Sequence, residues 1–246
     1  MQNIEFRNKQ YLLWRKIISL VIGWVCLSPA FSQLRNGPNL ADYDEKAWHG
    51  GIHLSFNKSH FLFTHHPYFL QRDTIMDVES VNNSGIGLAI YYTQKISNHF
   101  SFRTNLFDLT FSDKVFLYKE SVAGDTSLTE KKVSSITIGY PILLKFSSDR
   151  INNFKVYTIS GIKFTYDLNS AKGARNAEDL IKLKKGDVSV EVGLGFHFYF
   201  PVFVLTPEIK LSSGLVNLHS RDENLRYSNV IDKIKSKMIT FSLTVE

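Results

Sequence analysis

The chain has 246 residues, 43% of them hydrophobic and 21% charged, with a formal net charge of +6 and one cysteine. A single cysteine excludes a disulfide-stapled secreted domain. The positive balance is not a nucleic-acid footprint: Arg7, Lys9, Arg15 and Lys16 stand against Glu5 alone in the first 32 residues, which therefore hold half of it, and no basic patch interleaved with aromatics follows.

Those first residues read as a secretory signal. After the basic start, Ile17 to Leu27 carry no charge, Pro29 breaks the run, and Ala30 and Ser32 supply small side chains where a signal peptidase reads. The expected cut lies before Gln33. An uncleaved anchor is the alternative, but the uncharged stretch 17–34 is at the lower edge of a span's length and contains Pro29. Cys26 lies within the signal, and Gly23-Trp24-Val25 before it do not form a lipoprotein acceptor, so the mature chain is expected to lack thiols. Residues 33–47 are polar, with Gly37, Pro38 and Asn39, and are expected to form an extended periplasmic arm.

From Trp48 onward, apolar and polar residues alternate in eight stretches: 48–63, 84–96, 100–111 or on to 118, 132–147, 154–168, 187–199, 202–213 and 237–246. Alternate side chains of a strand point to opposite faces. The links between the stretches alternate as well. Those at 97–99, 148–153 and 200–201 are short; those at 64–83, 119–131, 169–186 and 214–236 are long. Short turns on one side and long loops on the other characterise outer-membrane barrels, whereas a soluble sandwich has no reason to sort its loops this way. The expected fold is all-β: an eight-stranded antiparallel transmembrane up-and-down β-barrel over 48–246, with both termini periplasmic and the outer membrane as its location.

The alternation also assigns the faces. In the sixth stretch Val188, Val190, Val192, Leu194, Phe196 and Phe198 share one side. Ser189, Glu191, Gly193, Gly195 and His197 share the other. A lysine or arginine facing lipid at the midplane costs roughly 2–4 kcal/mol. Charges must therefore turn inward. The predicted lumen holds Arg103, Lys145, Lys163 and Lys210 against Asp167, Glu191 and Glu208 as an ion-paired plug. Eight strands leave an interior about wide enough for side chains. Trp48, Phe100, Tyr118, Phe198, Tyr199, Phe200 and Phe203 lie near strand ends, as interfacial girdles do.

Catalytic and metal chemistry find little support. His49 and His53 share a face but lie about 13 Å apart along a strand, and no Asp, Glu or Cys completes a ligand set. No cofactor is expected. His99 could align with Ser101 in the manner of a lipid esterase, but no acid is placed to orient the imidazole. The basic residues of the long loops, with Lys182, Lys184 and Lys185 near the rim, are solvated surface or contacts for lipopolysaccharide phosphates.

Several segments resemble one family. They are Asn39-Leu40, Asp44-Glu45-Lys46 and His49-Gly50-Gly51; Pro141 to Phe146, Asp149-Arg150, Asn153-Phe154-Lys155 and Gly161 to Phe164; Leu183-Lys184-Lys185 before Glu191-Val192-Gly193; and Pro207 to Lys210, with Tyr227-Ser228-Asn229 to Met238. In this order they are similar to the PorT proteins of Bacteroidetes, over most of the mature chain. Glu246 departs from the terminal aromatic common in barrel insertion signals. The resemblance implies a component of the type IX secretion system, in gliding relatives also of motility, with other components of that system as partners and no catalytic residues. PorT proteins have been described as translocating porins; a filled eight-stranded barrel argues instead for an accessory or assembly factor. The arm residues Asn39, Leu40, Asp44, Glu45 and Lys46 are the expected partner contacts. The rival readings are a structural or adhesion barrel and a lipid-modifying enzyme.

Overall fold

The computed structural model describes residues 37–65, 75–81, 83–122, 125–169, 184–219 and 231–246. The predicted signal at 1–32, its cut site and Cys26 lie outside the described residues, as does Lys182.

The described strands are β1 (Trp48–His65), β2 (Ile75–Val81), β3 (Asn83–Lys95), β4 (Phe100–Val122), β5 (Asp125–Ser147), β6 (Phe154–Asp167), β7 (Gly186–Tyr199), β8 (Val204–Gly214) and β9 (Ile231–Val245). All pairings are antiparallel. β3 pairs with residues 101–112 of β4 and β2 with residues 115–120, so β2 and β3 share one position around the sheet. The ring runs β1–β3–β4–β5–β6–β7–β8–β9 and closes where β9 pairs with β1, from Ile52 opposite Val245 to His65 opposite Ile231. The protein is thus a closed eight-stranded antiparallel barrel. Closure removes the strand edges of the ring, which the hydrocarbon core of a bilayer requires.

Three links differ from expectation. Of the link expected at 119–131, residues 119–122 continue β4 and residues 125–131 continue β5, and the two stay paired out to Val122 opposite Asp125. β2 occupies part of 64–83, and β9 begins at Ile231 rather than at 237. These extensions carry Ser, Thr, Lys and Glu on both faces, so they lack the alternation by which buried strands are recognised. Pairing with a neighbour already built from the barrel satisfies their backbone.

The faces follow the alternation. Ile52, Leu54 and Phe56 on β1, Ile86, Leu88 and Ile90 on β3, Ile142, Leu144 and Phe146 on β5, and Ile239, Phe241, Leu243 and Val245 on β9 are exposed on the outside. Ser55, Asn57, Thr206, Ser242 and Thr244 are buried inside. At one end lie the short links, the described N-terminal segment and Glu246; this is the terminal end. Its outer rim carries aromatic pairs, with ring centroids 6.2 Å apart for Trp48 and Tyr92, 5.1 Å for Phe100 and Phe146, and 4.8 Å for Phe200 and Phe203. The strand ends that lead into the long links lie at the opposite, loop end.

β4 carries a bulge. Ile90 of β3 faces Phe107 while Tyr91 faces Asn105, so Leu106 is an extra residue. The inward set therefore changes from odd to even numbers, from Arg103 and Asn105 to Asp108 and Thr110, all buried. Leu106 and Phe107 are adjacent and both exposed.

Candidate functional site

The lumen is braced from wall to wall. Arg103 on β4 and Glu208 on β8 belong to opposite strands of the ring, and Nη1 of Arg103 lies 2.7 Å from Oε2 of Glu208. The Tyr157 hydroxyl of β6 donates to the same Oε2 at 2.5 Å. The guanidinium lies between the Tyr91 and Tyr157 rings, with Cζ 4.7 and 5.2 Å from their centroids. Lys210 approaches the other carboxylate oxygen of Glu208 at 3.5 Å. Gly195 makes room for this cluster: a Cβ there would lie 2.2 Å from Tyr157 Cζ.

Toward the loop end, Lys163 Nζ lies 3.0 Å from Asp108 Oδ2. Asn105 Nδ2 donates to the same oxygen at 2.9 Å. Asp108 is absent from the charges expected inside, because the bulge reverses the parity of β4 just before it. The adjacent apolar pair Leu106-Phe107 is the sequence signal of that reversal. Ser135 donates to Asp167 Oδ2 at 2.7 Å, and Ser212 donates to Glu191 Oε1 at 2.7 Å. Glu191 Oε2 has no hydrogen-bond partner among the described residues.

Lys145 meets a histidine and an aromatic face rather than a carboxylate. Its Nζ donates to His197 Nε2 at 2.7 Å and lies 4.3 Å from the Tyr157 centroid. With Nε2 accepting, His197 carries its proton on Nδ1, 2.8 Å from Thr206 Oγ1. The ionic plug expected from the sequence is thus a mixed one, with Leu143, Tyr157 and Ile159 forming an apolar cluster beside the charges.

The N-terminal segment lies against the terminal end of the barrel. Instead of the extended arm expected, residues Ala41–Glu45 form a 3-10 helix, entered through Leu40 in the left-handed region (φ 49°). Asp44 anchors it. Lys155 Nζ lies 3.0 Å from Oδ1, the Tyr199 hydroxyl donates to Oδ1 at 3.0 Å, and Arg150 Nη1 lies 3.3 Å from Oδ2. Burial pushes the Asp44 carboxyl up, but the Lys155 ammonium, with Tyr199 and Arg150, outweighs it and holds the group below its ordinary value of 3.8. Asn39 Nδ2 donates to the Tyr199 carbonyl at 3.0 Å, and Arg150 Nη1 donates to the Leu40 carbonyl at 3.2 Å. Tyr43 stacks on His49 with centroids 4.2 Å apart. Of the arm residues expected to meet a partner, Asn39, Leu40 and Asp44 hold the barrel itself, while Glu45 and Lys46 are exposed.

Among the described residues, a space of about 90 Å³ lies at the loop end, lined by hydroxyls and Lys163, and one of about 30 Å³ lies under the arm, beside Tyr43, Lys145 and His197. The Arg103–Glu208–Tyr157 cluster lies between them. His99 and Ser101 do not converge. The imidazole packs beside the exposed Phe146, its Nδ1 lies 3.1 Å from the Ser147 carbonyl, and its Nε2 lies 4.0 Å from Asp149. An acid is therefore near His99, contrary to expectation, but Ser101 lines the space under the arm.

The family described as outer membrane protein beta-barrel domain matches residues 31–220. No curated protein matches the chain. Among solved structures, OprG from Pseudomonas aeruginosa is similar at 13% identity and a TM-score of 0.42, over 80% of this chain and 92% of that one. Ail, the attachment invasion locus protein of Yersinia pestis, is similar at 12% identity and a TM-score of 0.36, over 81% and 98%. Neisserial surface protein A is similar at 11% identity and a TM-score of 0.38, over 81% and 99%.

Proposed function

This chain belongs to the outer membrane protein beta-barrel domain family, and from that premise we propose that it serves type IX protein secretion as a sealed, non-enzymatic accessory or assembly barrel. Supporting a sealed role is the Arg103–Glu208 brace, which joins opposite walls at 2.7 Å and leaves no protein-sized path. Supporting the link to type IX secretion is the ordered set of PorT-like segments. In this reading the signal is cleaved before Gln33 and the terminal end faces the periplasm, since short turns lie on that side of such barrels. The docked segment offers Glu45 and Lys46 to other components of the machine, and relatives that glide would use the same barrel in motility.

Deletion of the gene tests the role. Secreted cargo is expected to accumulate inside the envelope and to be released again when the gene is restored. Unchanged export would contradict the role while leaving the fold untouched. A photo-crosslinker at Glu45 should capture a second secretion component.

One observation favours a structural or adhesion barrel instead. β4 and β5 continue as a paired hairpin well past the apolar belt, with β2 added along its flank. Such a projecting sheet suits display at a surface. If surface attachment followed the hairpin and secretion did not change on deletion, this second reading would stand.

A further inference from the structure

Along the outside of β9 the apolar side chains Val245, Leu243, Phe241 and Ile239 give way to Lys237, Lys235 and Lys233 at three successive outward positions. On β1 the outward sequence Ile52, Leu54, Phe56 gives way to Lys58 and His60. The register places His60 opposite Lys237 and Lys58 opposite Ile239. Lys58 and Lys237 are therefore diagonal neighbours, about 7–8 Å apart. From Trp48 to Lys58 is ten residues, about 33 Å of strand, or roughly 25 Å of height at the usual tilt of such barrels. That equals the height of the apolar band, so Lys58 stands at the level of the far headgroups. A lysine costs about 0–1 kcal/mol there, against several at the midplane.

Among the described residues, Lys58, Lys235 and Lys237 have no carboxylate within salt-bridge distance, and Asp232 lies only beside Lys233, at 3.9 Å. Among the described residues, His60 Nδ1 is buried without a hydrogen-bond partner. Two grooves run from the lysines into the belt. One, of about 600 Å³, passes Lys58 and Lys237 onto Leu211, Val192 and Ile239. The other, of about 540 Å³, passes Lys58 onto Phe56, Ile86 and Phe241. Ser213 and Ser84, small residues on the outward face, leave the depth between the larger side chains.

We propose that this face of β1, β8 and β9 binds a phosphate-bearing, multiply acylated lipid of the surrounding leaflet. The phosphates sit among Lys58, Lys235 and Lys237, and the acyl chains lie in the two grooves. An anionic headgroup supplies the charge that the protein leaves out, and the grooves supply contacts that a free phosphate cannot use. The site rests on the outer-membrane placement but not on a role in secretion.

The test is native mass spectrometry of the detergent-solubilised barrel titrated with three probes: diphosphorylated lipid A, the same lipid without its phosphates, and inorganic phosphate. Lipid A should bind at one or two equivalents, and more weakly as salt rises from 0.1 to 0.5 M. The dephosphorylated lipid should bind at least tenfold more weakly, and phosphate should not compete at equal concentration. Combined Lys58→Gln, Lys235→Gln and Lys237→Gln should weaken lipid A roughly 100-fold, about fivefold per lysine, while the triple Lys→Arg variant keeps it. Folding of each variant is checked by heat-modifiable migration. Equal binding of lipid with and without phosphates, competition by phosphate alone, or unchanged binding by the folded Gln variant would each overturn the proposal. Should the Gln variant not fold, loss of binding in the folded Arg variant would also overturn it.

Discussion

Arg103 and Glu208 meet at 2.7 Å across the barrel, one from β4 and the other from the diametrically opposite β8. A contact of this kind does two things. It ties the two halves of the wall together, and it places a charged pair where an open channel would need water. Tyr157 and Lys210 complete the coordination of the carboxylate, so neither charge faces the low-dielectric interior alone.

Breaking that pair from one side should be more harmful than removing it whole. Arg103→Met or Glu208→Leu alone each leaves a buried charge uncompensated and is expected to cost about 3–5 kcal/mol. Arg103→Met with Glu208→Leu should cost less than either single change. Urea unfolding in lipid vesicles, arranged as a double-mutant cycle, measures the difference. Additive losses, with the double variant costing the sum of the two singles, would show that the two side chains do not act on each other.

Gly139 is required by its neighbours and not by its backbone. A Cβ there would stand 2.4 Å from Lys163 Cε and 2.8 Å from Asp108 Oδ2. Gly139→Val should therefore displace the Lys163–Asp108 pair and destabilise by roughly 2–4 kcal/mol. At Gly186 nothing lies within 4 Å of the same atom, and Gly186→Ala should change stability by less than about 0.5 kcal/mol. Thermal shifts of the refolded barrels distinguish the two.

Docking of the 3-10 segment should depend on pH through Asp44. Its carboxyl is held below the ordinary value because Lys155, Tyr199 and Arg150 outweigh the effect of burial. A depressed carboxyl contributes stability that is fully present above the undocked pKa, near 4, and is lost as pH falls through the docked value. Protection of the amides of residues 39–46 against hydrogen exchange, taken relative to the intrinsic exchange rate at each pH, should be high at pH 7 and fall below about pH 4. Asp44→Asn should raise exchange at pH 7 and remove most of the pH dependence. Equal protection of wild type and Asp44→Asn at pH 7 would contradict the anchoring role.

The projecting hairpin separates the two readings of function. Replacing residues 114–133 with a short turn between Asp113 and Ser134, which face each other, removes strand that lies beyond the belt and should leave the barrel folded, as heat-modifiable migration reports. If the barrel serves secretion from its terminal end, export of cargo should persist in this variant, whereas Glu45→Lys with Lys46→Glu should reduce it.

The parts legible in the sequence are those where a single cost dominates. Turning Lys163, Lys210 or Glu191 toward lipid costs several kcal/mol, so parity alone places them inside, and all three are buried there. Short and long links likewise announce a barrel. Asp108 was hidden because one extra residue, Leu106, reverses the face of β4, and strict alternation has no place for it. The β4–β5 extension was hidden because water on both sides removes the alternation. The docking of Asp44 was hidden because its partners Arg150, Lys155 and Tyr199 lie more than a hundred residues away and are joined only by barrel closure.

Planar-bilayer recording of the purified barrel at neutral pH tests the sealed interior most directly. The brace between Arg103 and Glu208 predicts a membrane with no steady conductance steps, and occasional openings only when Arg103, Tyr157 and Glu208 are all replaced by alanine. Long-lived, large-amplitude openings of the wild-type protein would contradict a sealed barrel and with it the accessory role.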